Sequence, residues 1–235
     1  MKIGILQCNT SRAPFAKKFG QYPEMVKHLL QKINPTLTFE TFQAEQHQLP
    51  AHIHACDAYL ITGSKHSVND HWPWIAELED FILKLHQAHI KLIGICFGHQ
   101  LIAKTLGGKV SKSPQGWGIG MSTNRVLQHK LWMNPSCDHF NLLISHQDQV
   151  VELPQGTEIL ASNEFCPFYM LQIGNNLTIQ GHPEFTKDYA KALIESRKDL
   201  LDKSCYEKGL QSLALNKDEM LIAQWIIHFL NDNSD

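Results

Sequence analysis

The chain has 235 residues, of which 43% are hydrophobic and 19% are charged. This composition is typical of one globular α/β domain and excludes a disordered or fibrous chain. The 21 Lys and Arg residues nearly balance the 23 Asp and Glu residues, for a formal net charge of −2. With no basic block, we expect no nucleic-acid partner. The longest strongly apolar run, at residues 222–230, is far shorter than the roughly 20 residues of a membrane span, so we expect no membrane partner.

The N-terminus and the cysteine pattern both favour a cytoplasmic protein. The apolar run at residues 3–6 is too short for a signal peptide, and no small-residue cleavage site follows it. The cysteines are spread singly without CxxC pairs, which indicates reduced thiols. They are Cys8, Cys56, Cys96, Cys137, Cys166 and Cys205.

Strand and helix patterns alternate through the first half of the chain. The predicted strands cover residues 2–8, 36–42, 58–62 and 91–95. Apolar residues at helical spacing predict helices over residues 25–33, 74–89 and 98–106. Pro73 suits the first position of the second helix, and Gly107 suits the end of the third. This alternation predicts an α/β fold with a doubly wound, mostly parallel central sheet and flanking helices.

The second half is predicted to be rich in strands and partly antiparallel, because short β-forming runs are separated by Gly, Pro and Asn turns. These runs cover residues 119–127, 142–145, 158–161, 168–173 and 177–180. Two helices follow, at residues 186–201 and 216–230, and Asn216 with Glu219 resembles a capping box at the start of the second. We expect one domain over residues 1–190 and a helical C-terminal extension, residues 191–235, packed on it.

A sharp strand-to-helix turn carries the clearest chemical signal. Residues 94–98 read Gly-Ile-Cys-Phe-Gly, the pattern of a nucleophile elbow. The small flanking residues permit a tight turn that places the Cys96 thiol at its tip and the Phe97 N–H beside it as an oxyanion donor. The positive end of the helix dipole stabilises a thiolate at this position. We therefore predict that Cys96 is a nucleophile and that the other five cysteines are structural.

A base for this thiol is predicted at His182, in the segment Gly-His-Pro-Glu at residues 181–184. If the segment is extended, residues 182 and 184 project to the same side. Glu184 can then hold one ring nitrogen of His182 while the other faces the sulfur. The chain order Cys, His, Glu is one of several orders that such a triad can take.

The two motifs resemble the class I glutamine amidotransferase family, particularly its stand-alone members similar to the glutaminase half of GMP synthetase. Residues 94–100 and 181–184 carry the resemblance, together with residues 61–64 and 145–150. It covers about residues 2–190 and implies a flavodoxin-like fold. It also implies that Cys96 is the nucleophile, His182 the base and Glu184 the residue that orients the base.

The resemblance further implies an oxyanion hole and a substrate site. The second oxyanion N–H is expected at the turn formed by Gly63 and Ser64, beside the N–H of Phe97. Substrate binding is expected at Gln100, Ser145, Gln147 and Asp148, where Gln100 and the backbone of the last two hold the α-groups of glutamine.

Two positions depart from the family pattern. The oxyanion turn reads Gly63-Ser64-Lys65, where the family usually has Gly-Gly-Pro, so the donor requires dihedral angles that serine can adopt. Gln147 stands where relatives often have glycine, which puts a side chain into the substrate pocket and predicts a shift in substrate choice.

The implied reaction is hydrolysis of the γ-carboxamide of glutamine through a γ-glutamyl thioester on Cys96. Three readings stay open: a glutaminase that acts alone or supplies ammonia to a separate synthetase, a γ-glutamyl peptidase, and a non-catalytic binding or regulatory protein of the same fold. The sequence has no Gly-x-x-x-x-Gly-Lys-Ser/Thr phosphate loop. We expect no cofactor and no metal, because the histidine pairs at positions 52/54 and 86/89 lack ligand partners at suitable spacing.

Overall fold

A computed structural model describes residues 1–11 and 13–232 of the chain. The strands are β1 (Lys2–Gln7), β2 (Thr38–Gln43), β3 (Ala58–Ile61), β4 (Leu92–Ile95), β5 (Lys109–Lys112), β6 (Gly118–Val126), β7 (His139–His146), β8 (Asp148–Glu152), β9 (Thr157–Ser162), β10 (Met170–Ile173) and β11 (Asn176–Ile179). The α-helices are α1 (Ala13–Phe19), α2 (Tyr22–Ile33), α3 (Pro73–Gln87), α4 (Phe97–Thr105), α5 (Lys187–Ser196), α6 (Lys203–Ser212) and α7 (Glu219–Asn231). Short 3-10 helices lie at Ala44–Gln46 and Lys198–Leu200.

The central sheet has nine strands in the order β2-β1-β3-β4-β11-β10-β9-β6-β7. Strands β2, β1, β3, β4 and β11 pair in parallel. Strands β10, β9, β6 and β7 extend this sheet in antiparallel fashion, and β5 with β8 forms a separate antiparallel pair. The α/β fold predicted from the alternation is confirmed, and the antiparallel part falls where the β-rich runs predict it.

The inner parallel strands β1, β3, β4 and β11 are buried on both faces because helices cover each side of the sheet, whereas the edge strand β2 is only partly buried. Ile3 and Ile5 of β1 belong to a core that also contains apolar residues of α2 and α7. Leu6 of the same strand belongs to a second core, formed with α3 and α4. Successive residues of one strand therefore serve opposite layers, and the carboxyl ends of β3, β4 and β11 meet at one edge.

Four helices and strands were missing from the sequence-based prediction, namely α1, α6, β5 and β8. Helix α1 has only seven residues and none of them is buried, so it is too short to show a clear apolar repeat at helical spacing. Strands β5 and β8 each pair only with one another. In β5 a single residue, Val110, is buried, which leaves no alternating pattern to find.

The predicted capping box at Asn216 and Glu219 is wrong. Helix α7 begins at Glu219, with Asp218 at the N-cap and no side-chain capping bond. The reason is tertiary: the carboxylate of Asp218 accepts a hydrogen bond from the backbone N–H of Asn141 at 2.7 Å. The ammonium of Lys217 also donates to two backbone carbonyls outside the helix, those of Pro183 and Phe185.

The C-terminal helix is part of the main core. Trp225 and Phe229 of α7 are fully buried, and the indole N–H of Trp225 donates to the carbonyl of Pro135 at 2.9 Å. The boundary between residues 1–190 and 191–235 stays a prediction. No helix in the described part of the chain combines the length and apolarity needed to cross a membrane.

Candidate active site

The predicted elbow forms at the junction of β4 and α4. Cys96 is the N-cap of α4 and has φ 52° and ψ −96°, a backbone conformation that costs a non-glycine residue energy and occurs mainly at functional sites. Glycines at positions 94 and 98 permit the turn. A Cβ on Gly94 would lie 2.7 Å from the carbonyl oxygen of Gly98, and a Cβ on Gly98 would lie 2.6 Å from that of Ile61.

The segment after β11 brings His182 and Glu184 to the thiol. The Nδ1 atom of His182 lies 2.7 Å from Oε1 of Glu184, and both side chains are almost completely buried. The Cys96 side chain lies close to this imidazole, since a Cβ built on Gly63 would be 2.9 Å from Cε1 of His182 and 3.8 Å from Cβ of Cys96. The backbone N–H of His182 donates to the carbonyl of Leu143 at 2.7 Å, which ties the segment to β7. The predicted nucleophile, base and orienting group therefore meet at one point.

The surroundings of His182 favour its protonated form. Burial by itself lowers the pKa of this imidazole, but the negative charges of Glu184 and Cys96 and their hydrogen bonds outweigh burial and raise the pKa to about 10. The imidazole of His182 is therefore protonated at neutral pH. A group in that state can donate a proton to a leaving amine.

The predicted oxyanion residues face the thiol. Gly63, Ser64 and Phe97 come from the turn after β3 and the first turn of α4, and the N–H of Phe97 has no intrahelical acceptor at that position. Neither Gly63 nor Ser64 has a positive φ, so the serine is compatible with this turn. The glycine is needed for a different reason, since a Cβ at position 63 would lie 2.9 Å from Cε1 of His182.

A cavity of about 220 Å³, here called the catalytic cavity, opens in front of Cys96. The predicted substrate-binding residues that line it are Gln100, Ser145, Gln147 and Asp148. The amide nitrogen of Gln100 donates to the backbone carbonyl of Asp148 at 2.7 Å, and the Asp148 carboxylate accepts from Ser67 at 2.5 Å. The four residues thus line the same cavity, and the effect of the Gln147 side chain on substrate choice stays a prediction.

Three residues near the site were not found from the sequence. Phe185 stacks on the imidazole of His182. Lys217, which precedes α7, donates to the carbonyls of Pro183 and Phe185 on either side of Glu184. Arg197, which follows α5, lines the catalytic cavity and donates to the hydroxyl of Ser145. Only Phe185, which directly follows the His-Pro-Glu segment, offered a local signal.

Comparisons with known proteins agree with this architecture. The sequence model of the family described as glutamine amidotransferase class-I matches residues 17–198. A glutamine amidotransferase-like protein of Schizosaccharomyces pombe is 29% identical over 97% of this chain and 98% of its own length. Gamma-glutamyl peptidase 4 of Arabidopsis thaliana is 31% identical over 81% of this chain and 79% of its own length.

A solved structure shares the fold. The crystal structure of a glutamine amidotransferase from Thermotoga maritima superposes with a TM-score of 0.75 at 18% identity, covering 97% of this chain and 96% of that one. The chain belongs to the class I glutamine amidotransferase family. This family is enzymatic, and its members include glutamine amidotransferases and γ-glutamyl peptidases.

Proposed function

We propose that this chain is a cysteine-dependent amidohydrolase that cleaves the γ-carboxamide of glutamine. The observation that carries the proposal is the position of Cys96. Its side chain stands at a strained elbow beside the imidazole of His182, and Nδ1 of that imidazole is fixed by Glu184 at 2.7 Å. A thiol, a base and a carboxylate in this order form the arrangement required for covalent acyl transfer.

The proposed reaction has two halves. The Cys96 thiolate attacks the γ-carbonyl carbon, and protonated His182 delivers its proton to the departing nitrogen as the C–N bond breaks. Ammonia leaves, and a γ-glutamyl thioester remains on Cys96. His182 then accepts a proton from water, which attacks the thioester and releases glutamate. Glu184 keeps the imidazole oriented through both halves.

The negative oxygen formed in each half needs donors already in place. We assign this role to the backbone N–H groups of Phe97 and of the turn formed by Gly63 and Ser64. The hydroxyl of Ser64 donates to the carbonyl of Cys8 at 2.7 Å, so the side chain points back toward the end of β1 and away from the oxyanion. This orientation leaves the backbone of the turn to face the thiol.

The glutamyl group is proposed to lie along the wall formed by Gln100, Ser145, Gln147 and Asp148. Gln100 is held by the carbonyl of Asp148 and by the side chain of Gln180 at 3.0 Å, so it supports that wall. The backbone groups at Gln147 and Asp148 are assigned to the α-amino and α-carboxylate groups.

The test is release of glutamate from L-glutamine by the purified protein. We expect turnover by the unchanged chain and none by Cys96→Ser, while Cys137→Ser, which changes a cysteine remote from the elbow, keeps its activity. Hydroxylamine in place of water should divert the product to γ-glutamyl hydroxamate, because the thioester accepts either nucleophile. Turnover by Cys96→Ser at the normal rate would exclude the proposal.

A separate ammonia-accepting synthetase belongs to the proposal as a possible partner. If this partner exists, we expect the purified chain to have low glutaminase activity and this activity to rise when the synthetase is added. High activity in the purified chain alone would instead indicate that no partner is needed.

A further inference from the structure

One guanidinium lines the catalytic cavity without an acidic partner. Arg197, which follows α5, lies in the cavity wall beside Ser145 and donates a hydrogen bond to the hydroxyl of that serine. Within residues 1–11 and 13–232, this is the one hydrogen bond that the guanidinium makes, and it forms no salt bridge. Because a guanidinium carries several N–H donors, donors remain for a ligand on the wall assigned above to the glutamyl group.

Arg197 is the least exposed of the three Lys and Arg side chains that line the catalytic cavity. Lys65 and Lys112 are exposed to solvent, whereas Arg197 is half-buried. Burial lowers the pKa of Arg197, and the negative charge of a Cys96 thiolate is one of the effects that oppose burial. A guanidinium withdrawn from water with only a neutral hydrogen-bond partner is poorly compensated. It therefore favours an anionic ligand more than either lysine does.

The guanidinium is held in place from two directions. Its central carbon lies 4.9 Å from the centroid of the Trp117 ring, which gives a cation–π contact on one side. The bond to Ser145 holds it on the other side. Since the hydroxyl of Ser145 accepts from Arg197, its own O–H is left to donate. A fixed guanidinium and a hydroxyl therefore present adjacent donors on this wall.

The α-carboxylate of the glutamyl group is the anion that these donors fit. A guanidinium binds a carboxylate through two parallel hydrogen bonds, whereas the backbone N–H groups assigned above to the α-carboxylate carry no charge. The γ-carbonyl oxygen is not a competing ligand, because it is assigned to the N–H groups beside Cys96. The carboxylate of Asp148, also in the cavity wall, accepts from Ser67 and does not pair with Arg197.

We propose that Arg197 binds the α-carboxylate of the substrate's glutamyl group, so that the site selects compounds in which this carboxylate is free. The inference rests on the proposed function at Cys96 and adds a binding residue to it. A glutamine residue within a polypeptide has its α-carboxyl group in a peptide bond and would leave the guanidinium unpaired. A site built to bind a charged group rejects the analogue that lacks it, so free glutamine is accepted and glutamine side chains of proteins are excluded.

The test measures binding apart from turnover. In the Cys96→Ala protein, which cannot form the thioester, calorimetry compares L-glutamine with L-glutaminamide, in which a neutral amide replaces the α-carboxylate. One charge-assisted hydrogen bond corresponds to about tenfold in affinity or more, so we expect glutamine to bind at least about tenfold more tightly. Arg197→Gln should abolish this preference by weakening the binding of glutamine alone.

The matched control is Lys112→Gln, which removes an exposed positive charge from the wall of the same cavity and should keep the preference. This control separates direct contact from the general attraction of an anion to a positive cavity. Arg197→Lys keeps the charge and loses the parallel pair of donors, so its preference should be smaller without vanishing. This variant gives the same comparison if Arg197→Gln does not fold.

Three results would overturn the inference. The first is equal affinity for the two compounds, or no measurable affinity for glutamine, in the Cys96→Ala protein. The second is a preference that survives Arg197→Gln. The third is an equal loss of both affinities in Arg197→Gln, which would make Arg197 a support of the wall through Ser145.

Failure of the proposed function is a different result, namely no release of glutamate from glutamine by the unchanged protein. A preference for glutamine that depends on Arg197, without such release, supports the binding residue and rejects the chemistry at Cys96.

Discussion

The ring of Phe185 lies flat against the imidazole of His182, with centroids 3.8 Å apart and planes inclined by 7°. Phe185 is in turn packed against Tyr22 and Tyr189 and is 1% exposed. The hydrogen bond that Nδ1 of His182 donates to Glu184 fixes one edge of the imidazole, and this stack fixes its plane. Together they restrict the imidazole to one orientation, which leaves its second nitrogen for the proposed contact with the Cys96 thiol.

Replacing Phe185 with leucine should therefore lower kcat about tenfold, because the imidazole gains freedom to rotate away from the thiol. A cost in the free energy of unfolding of about 1 kcal/mol is expected for such a change in a packed site. Steady-state kinetics and urea unfolding would measure the two effects. Phe229→Leu, a similar substitution of a buried residue of α7, should lower the stability of the protein and leave kcat unchanged. Equal kcat values in both variants would remove Phe185 from a positioning role.

Glu184→Gln should reduce turnover without abolishing it, since His182 loses charge stabilisation and part of its orientation but keeps its chemistry. Burial lowers the pKa of His182, while the negative charges of Glu184 and Cys96 raise it to about 10. Without the charge on Glu184 the pKa falls, so the proton needed by the leaving group is lost at a lower pH. The alkaline limb of the kcat/KM profile should move down by about one pH unit or more.

The control for this experiment is Glu195→Gln, which removes an exposed carboxylate on α5 and should leave the profile in place. An unchanged alkaline limb in Glu184→Gln would show that another group sets the protonation of His182. Unchanged turnover would remove Glu184 from the triad.

Lys217→Met removes the ammonium that binds the carbonyls of Pro183 and Phe185. Burial lowers the pKa of Lys217, while the carboxylates of Glu219 and Glu184 oppose that effect. Two carbonyls beside Glu184 would lose their donor, at a cost of about 1–3 kcal/mol in the free energy of unfolding. Because the same carbonyls hold the segment that carries the triad, kcat should fall while KM changes little.

The matched control is Lys203→Met, whose side chain is 88% exposed and which should change neither quantity. Lys217→Arg should recover part of kcat, since it keeps a donor and a charge. A loss of stability without a loss of kcat would mean that Lys217 is structural only.

Acid should destabilise the protein through two buried histidines. Burial, reinforced by the charge of His146, lowers the pKa of His99 to about 3, and burial lowers that of His146 to about 4. In the unfolded chain both titrate near pH 6.5. Below that pH the unfolded chain binds protons that the folded protein excludes, so stability falls as the pH drops from about 6.5 toward 4.

The expected loss is about 2 kcal/mol per histidine between pH 6.5 and pH 5. Urea unfolding at a series of pH values would measure it. His99→Gln should remove about half of the histidine contribution to the slope, whatever its effect on stability at pH 7. A slope identical to that of the unchanged protein would mean that His99 is not neutral in the folded state.

The sequence by itself determined the features that depend on neighbouring residues. The Gly-Ile-Cys-Phe-Gly turn at residues 94–98 predicted the elbow, because a tight strand-to-helix junction tolerates only glycines at its flanks. The spacing of His182 and Glu184 predicted their hydrogen bond, which forms at 2.7 Å. The reason given for it was wrong, because the prediction assumed an extended segment, whereas residues 183 and 184 lie in a turn. Apolar periodicity predicted the parallel half of the sheet.

Only the tertiary structure decided which distant residues surround that triad. Arg197, Lys217 and Tyr22 lie on three separate segments, and no local pattern marks a charged or aromatic residue for a site that forms when the chain folds. The same reason explains the start of α7. Asn216 and Glu219 have the spacing of a capping box, but the two residues between them bind distant parts of the chain. Lys217 donates to the carbonyl of Phe185, and Asp218 accepts from the backbone N–H of Asn141. With these bonds in place, the helix begins at Glu219 with Asp218 as its N-cap.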